Sequence, residues 1–89
     1  MSSLEGKVAI ITGSSRGIGK SIAIELAKKG AFIVLNGRDS TRLDSTVSEL
    51  KKIHKNIIAV CCDVSVAAQS KDLVNQAIKT FGKLDILIN

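Results

Sequence analysis

The sequence predicts an α/β fold: one parallel sheet, doubly wound, with helices on both faces. Three observations carry this. Four short apolar runs recur along the 89 residues, separated by segments with helical spacing of apolar positions. The runs are apolar throughout rather than alternating, as expected for strands covered on both faces. Strands that alternate with helices of about a dozen residues favour right-handed crossovers between parallel strands.

"KVAIIT" (Lys7–Thr12) reads as the first strand, and Ile18, Ile22, Ala23, Leu26 and Ala27 form the stripe of a first helix, with Gly30 placed to stop it. "FIVLN" (Phe32–Asn36) is the second strand. Asp39 or Ser40 is suited to cap a second helix carrying Leu43, Val47, Leu50 and Ile53. "NIIAVCC" (Asn56–Cys62) is the third strand, and Ser65 is suited to cap a third helix with Val66, Leu73, Val74, Ala77, Ile78 and Phe81, closed by Gly82. "LDILIN" (Leu84–Asn89) is the fourth strand. The predicted order is 3-2-1-4, which puts the loop after the first strand where the winding reverses, the expected ligand position. No linker or repeat divides residues 1–89, so a single domain is expected. A bare fourth strand would leave an apolar edge, so the chain is expected to be the truncated front of a larger doubly wound domain.

Composition excludes several functions. The net charge is +5, but the 13 Lys and Arg residues are scattered, with no run longer than two and no interleaved aromatics. Nucleic acid is therefore not expected as a partner. One His and no Cys-x-x-Cys argue against a metal site. Cys61 and Cys62 are adjacent and should point to opposite faces of a strand as buried, reduced thiols. The apolar run Val8–Ile11 is too short for a signal core or a membrane span. No membrane association and a cytoplasmic setting are expected. Lys20, Ser21 and His54 read as solvated surface.

The segment Thr12–Ser21, "TGSSRGIGKS", holds the chemistry. A glycine-rich turn opening a helix lets backbone N–H groups approach phosphate. A triphosphate loop would need glycine at position 14, where Ser14 stands, and Gly13 is one residue early. An NTPase, with Asp63 closing an apolar strand as a magnesium holder, is thus a near miss. A dinucleotide turn fits better: Gly13, Gly17 and Gly19 directly follow a buried strand and open a helix.

Thr12-Gly13-x-x-x-Gly17-x-Gly19, "NGR" at Asn36–Arg38, "CDVS" at Cys62–Ser65 and "DILIN" at Asp85–Asn89 together resemble the short-chain dehydrogenase/reductase family. The resemblance covers the family's N-terminal half and looks nearest to members of the 3-oxoacyl-acyl-carrier-protein reductase type. It implies a Rossmann-type domain. It also implies that Gly13, Ser14, Ser15, Arg16 and Ile18 line the pyrophosphate and adenosine ribose, and that Gly17 and Gly19 permit the close approach. Asp63 and Val64 would face the adenine, Thr12 would tie the loop to the sheet, and Asn89 would steady the central strand.

Cofactor choice turns on the tip of the second strand. An NAD site commonly carries a carboxylate there, and none stands at 36 or 37. Arg38 stands at the tip and Arg16 in the loop, and guanidinium groups match a 2′-phosphate. NADP(H) is expected over NAD(H), unless Asp39 turns inward instead of capping its helix.

The family resemblance implies hydride transfer to a small-molecule carbonyl or from an alcohol, with a Tyr, a Lys and a Ser in attendance, in a protein that forms a homo-oligomer. The chain contains no Tyr. No catalytic residue is therefore assigned within it, and the piece alone should bind the adenosine half without turnover. A silent NADP-binding sensor or scaffold is the alternative.

Overall fold

The computed structural model describes residues 4–89. Seven elements alternate: β1 (Val8–Ile11), α1 (Gly17–Lys28), β2 (Phe32–Gly37), α2 (Ser40–Lys51), β3 (Ile57–Cys61), α3 (Ala67–Phe81) and β4 (Ile86–Ile88). The strands form one sheet in the order β3-β2-β1-β4, and every pairing is parallel. The predicted architecture is therefore the observed one.

The unbroken apolar runs are explained by the two cores. Side chains alternate across a strand, so Ala9, Ile11, Ile33 and Leu35 meet Ala23 and Ala27 of α1 and Leu43 and Leu50 of α2 on one face. Ile10 and Val34 meet Leu73 and Ala77 of α3 on the other. All four residues of β1 are fully buried. Truncating Ile10 would leave a void beneath α3. Ile10→Ala is expected to cost about 3 kcal/mol, read as a lowered urea midpoint with an unchanged slope.

The helices close by local chemistry. Gly30, at φ +90°, lets its own N–H reach Ala27 O and the Ala31 N–H reach Leu26 O, ending α1 in a left-handed turn. Asp39 Oδ1 accepts from the Thr41 and Arg42 N–H groups at 3.0 and 3.2 Å, capping α2 as expected. The sheet gains a side-chain tie at its other end: an Asp85 carboxylate oxygen accepts the Val8 N–H at 2.9 Å, and Lys83 sits 3.2 Å from the same oxygen. The Val8 N–H bond, aided by Lys83, lowers the Asp85 pKa. A carboxylate with a depressed folded-state pKa stabilises above its unfolded value and loses that contribution as pH falls through the folded one. Thermal stability is expected to fall below about pH 4, and Asp85→Asn should flatten that fall.

Several expectations need correction. Ile18 is 81% exposed rather than part of the inward stripe. At 3.6 residues per turn it lies about 140° around the helix from Ala23, which is the buried position. Ser65 does not cap α3. Its hydroxyl donates to Asp63 Oδ1 at 2.6 Å, and the helix starts after Val66 with no side-chain cap. The cysteines are free thiols but not buried: Cys61 is exposed and Cys62 half-buried. β3 is an edge strand, and burial falls along it from Ile57 to the exposed Cys61. His54 is half-buried, not surface. Its ring lies 5.6 Å from that of Phe32, and its Nδ1 accepts the Asn56 N–H at 3.1 Å. Lys20 pairs with Glu49 at 2.8 Å, bridging α1 to α2.

Candidate functional site

The site is built where β1, β2 and β3 end together. β1 enters the turn at Thr12, whose N–H donates to Ile88 O at 2.9 Å and whose hydroxyl lies 3.3 Å from the same oxygen, tying the turn to β4. Gly13 follows with φ +58°, a backbone state that disfavours other residues. Its N–H donates to Asn36 Oδ1 at 3.3 Å. The Ser14 N–H donates to Asn36 O at 2.7 Å. The Ser14 hydroxyl donates to Ile11 O at 2.7 Å and accepts the Asn36 N–H at 2.9 Å.

Ser14 is fully buried. Sequence reasoning placed it on the ligand. The structure turns it into the protein, because a buried hydroxyl needs partners and the end of β2 supplies them. The same bonds weaken the triphosphate-loop alternative. The amides of Gly13 and Ser14 face Asn36 rather than converging outward.

The amides left to face outward belong to the start of α1. Gly17, Ile18 and Gly19 form its first turn, where a helix has no carbonyl for its own N–H groups. Arg16 precedes them in extended conformation without a side-chain cap, and no acidic residue occupies the first turn. The positive end of α1 is thus open to an anion. Gly17 has φ +62°, and a Cβ there would project into open space. Gly19 behaves differently. A Cβ on it would stand 2.5 Å from Gly13 O, so its missing side chain seats the helix against the turn. Thr46 of α2 braces the turn from behind, its hydroxyl 3.0 Å from Ser15 O.

Beside the turn lies a depression of about 320 Å³, lined by Gly13, Asn36, Gly37, Arg38 and the segment Cys62–Ser65. A Cβ on Gly37 would stand 3.0 Å from Ser15 Oγ and 3.2 Å from Ser15 Cβ, so the two residues pack closely. Arg38 Nη1 stands 3.8 Å from Asp63 Oδ2 at the rim, with the Arg38 side chain 79% exposed. Bonds from the Ser65 hydroxyl and N–H, and then the Arg38 charge, lower the Asp63 pKa and keep it an acceptor.

Of the predicted residues, the structure gathers Gly13, Arg38, Asp63 and Val64 in one pocket. Ser15 stands beside Gly37, and Arg16, Gly17 and Ile18 are exposed at the helix start. Gly19 supports the turn from within. Asn36 was missed as a functional residue. It is 2% exposed, and its Nδ2 donates to Val60 O at 3.2 Å and Cys62 O at 3.3 Å. The available signal was a carboxamide ending an otherwise apolar strand. Among the described residues, no cluster of His, Cys, Asp and Glu could hold a metal ion, and no helix is long and apolar enough to cross a membrane.

A parallel sheet in the order 3-2-1-4, with a glycine turn opening a helix beside its reversal point, is the Rossmann-type architecture. The family profile described as short chain dehydrogenase matches residues 7–89, and the chain belongs to the short-chain dehydrogenase/reductase family. It is 48% identical over 90 residues to an uncharacterized oxidoreductase of Methylorubrum extorquens, covering 100% of this chain and 36% of that protein. Among solved structures it is similar to the L-sorbose reductase of Gluconobacter frateurii complexed with NADPH and L-sorbose. There the TM-score is 0.93 and the identity 40%, over 99% of this chain and 34% of that one. A 7α-hydroxysteroid dehydrogenase complexed with NADH gives a TM-score of 0.92 at 38% identity, over 97% of this chain and 34% of the other. The chain therefore spans about a third of the length of these relatives.

Proposed function

We propose that this chain is the adenosine-binding part of an NADP(H)-dependent oxidoreductase that interconverts a small-molecule carbonyl and alcohol. The observation that carries the cofactor choice is the tip of β2. Arg38 stands at the pocket rim, with Asn36 and Gly37 where an acid would favour NAD. Asp39, the nearest carboxylate in sequence, is engaged in capping α2 and lies 3.6 Å from Arg42 Nε. That engagement supports the reading in which it caps the helix rather than turning inward to a ribose hydroxyl.

The residues fit such a group. The open space in front of Gly13 and Gly17, and the unpartnered amides of the first turn of α1, suit a diphosphate. Arg38, with Arg16 in the turn, would meet a 2′-phosphate. Asp63 and Val64 would face the base, and Ser15 and Ile18 would flank the ribose and diphosphate. When bound, the nicotinamide cofactor supplies or takes the hydride. This chain's residues bind and orient the adenosine end.

A carbonyl oxygen must gain a proton as hydride reaches its carbon. With no Tyr in the sequence, the phenolic acid that the family resemblance implies is assigned to residues outside this chain. The test is calorimetric titration with NADP+ and NAD+ at equal concentrations. Tighter binding of NADP+ is expected, and equal or tighter binding of NAD+ would overturn the use made of Arg38.

A further inference from the structure

We propose that Asn36 is a positioning residue whose carboxamide locks the two walls of the adenosine pocket together, so that the turn after β1 and the loop after β3 are ordered as one unit. This rests on the nucleotide-binding reading above. β1 and β3 are not neighbours; β2 lies between them. One wall, at Gly13, follows β1 and is backed by the buried Ser14, and the other, Cys62–Ser65, follows β3. Asn36, near the end of β2, bonds to both. Its main chain takes Ser14 from both sides, and its Oδ1 takes the Gly13 N–H. Its Nδ2 holds Val60 O and Cys62 O, with Cys62 Sγ also 3.3 Å away.

The orientation of the amide is dictated. Exchanging its oxygen and nitrogen would set NH2 against the Gly13 N–H and an acceptor against two carbonyls. A serine hydroxyl ends one bond nearer the main chain and has a single proton for two carbonyls, and an aliphatic side chain offers neither donor nor acceptor. Both donor hydrogens of Asn36 are engaged with protein atoms. It therefore acts on a nucleotide through Gly13 and Cys62 rather than directly.

The Asn36→Asp variant separates this role from simple packing. A neutral carboxyl reproduces the pattern of one acceptor and one donor. An ionised one loses the donor and faces the Val60 and Cys62 carbonyls. Burial at this position would raise its pKa into the accessible range. The titratable groups around it are the Cys62 thiol and Asp63 from the end of β3, Arg38 from the tip of β2 and Asp72 from α3; the turn adds only the Ser14 hydroxyl and backbone. Burial, then Cys61, raise the Cys62 pKa.

Affinities for adenosine 2′,5′-bisphosphate and for 5′-AMP are measured from about pH 5.5 to about pH 8.5 as ratios of wild type to variant, and an alkaline loss shared by both probes separates loss of the tie from repulsion of the 2′-phosphate by the new carboxylate. Each ratio is expected near one at the acid end and on the order of tenfold at the alkaline end, with far-UV circular dichroism unchanged. A pH-independent ratio, or a loss confined to the bisphosphate, would overturn the proposal. Asn36→Ser, without ligand, gives a second readout. Amide exchange at Gly13 and Cys62 should rise together while Ile10 and Val34 stay protected. A rise at one wall alone, or at neither, would also overturn it. If wild type binds neither probe, the nucleotide reading falls, and the exchange measurement still decides the coupling.

Discussion

Gly19→Ala is expected to destabilise the chain by about 2 kcal/mol and to abolish dinucleotide binding. The added Cβ would lie 2.5 Å from Gly13 O and 3.1 Å from Gly13 C and Ser14 Cα, all main-chain atoms. Neither partner can yield. The turn is held by the bonds of Gly13 and Ser14 to Asn36, and α1 is anchored by the buried Ala23 and Ala27. Alanine would otherwise favour a helix by about 1 kcal/mol over glycine, so a loss in spite of that gain isolates the clash. Gly17→Ala is the contrast. Its Cβ meets open space, and the φ of +62° is the obstacle, costing about 1–2 kcal/mol. Urea denaturation ranks the two. A Gly19→Ala chain as stable as the parent would show that the turn and helix can separate at little cost.

Arg38→Asp is expected to invert cofactor preference without unfolding the protein. The pair with Asp63 is long and exposed, at 3.8 Å with Arg38 79% accessible, and such pairs contribute little to stability. The effect should appear in binding. Removing a guanidinium matched to a phosphate dianion, and adding an acceptor suited to a ribose hydroxyl, should shift the ratio of affinities for adenosine 2′,5′-bisphosphate and 5′-AMP on the order of 100-fold. Thermal shift with each ligand measures it. Equal losses for both would place Arg38 away from the 2′ position.

The fold was legible because its signals are local. Continuous apolar strands, helical stripes, Gly30 and Asp39 each fixed one element, and right-handed crossovers left few topologies, of which 3-2-1-4 is the observed one. The site was legible as far as the glycine spacing and the tip residue Arg38. What escaped was the choice of hydrogen-bond partners. Ser14 occupies a motif position usually read as facing ligand, yet strand register delivers Asn36 to its hydroxyl. Ser65 has the chemistry of a cap, but Asp63 is two residues away and takes its proton first. Asn36 was read as a strand end, as part of the NGR motif and for the acid it is not, never for its carboxamide. A periodicity reports which face a residue occupies, and it does not report which buried group will claim its polar atoms.

The tie between Val8 and Asp85 spans 77 positions of chain, and it has a consequence for assembly. With every strand among the described residues parallel, no hairpin among them forms early to seed the sheet. β1 leaves the ribosome before the strands on either side of it, yet its second flank, β4, follows only after α1, β2, α2, β3 and α3. Such long closures slow collapse to the native state, so a nascent polypeptide would carry its most water-averse ribbon half-covered until that partner emerges.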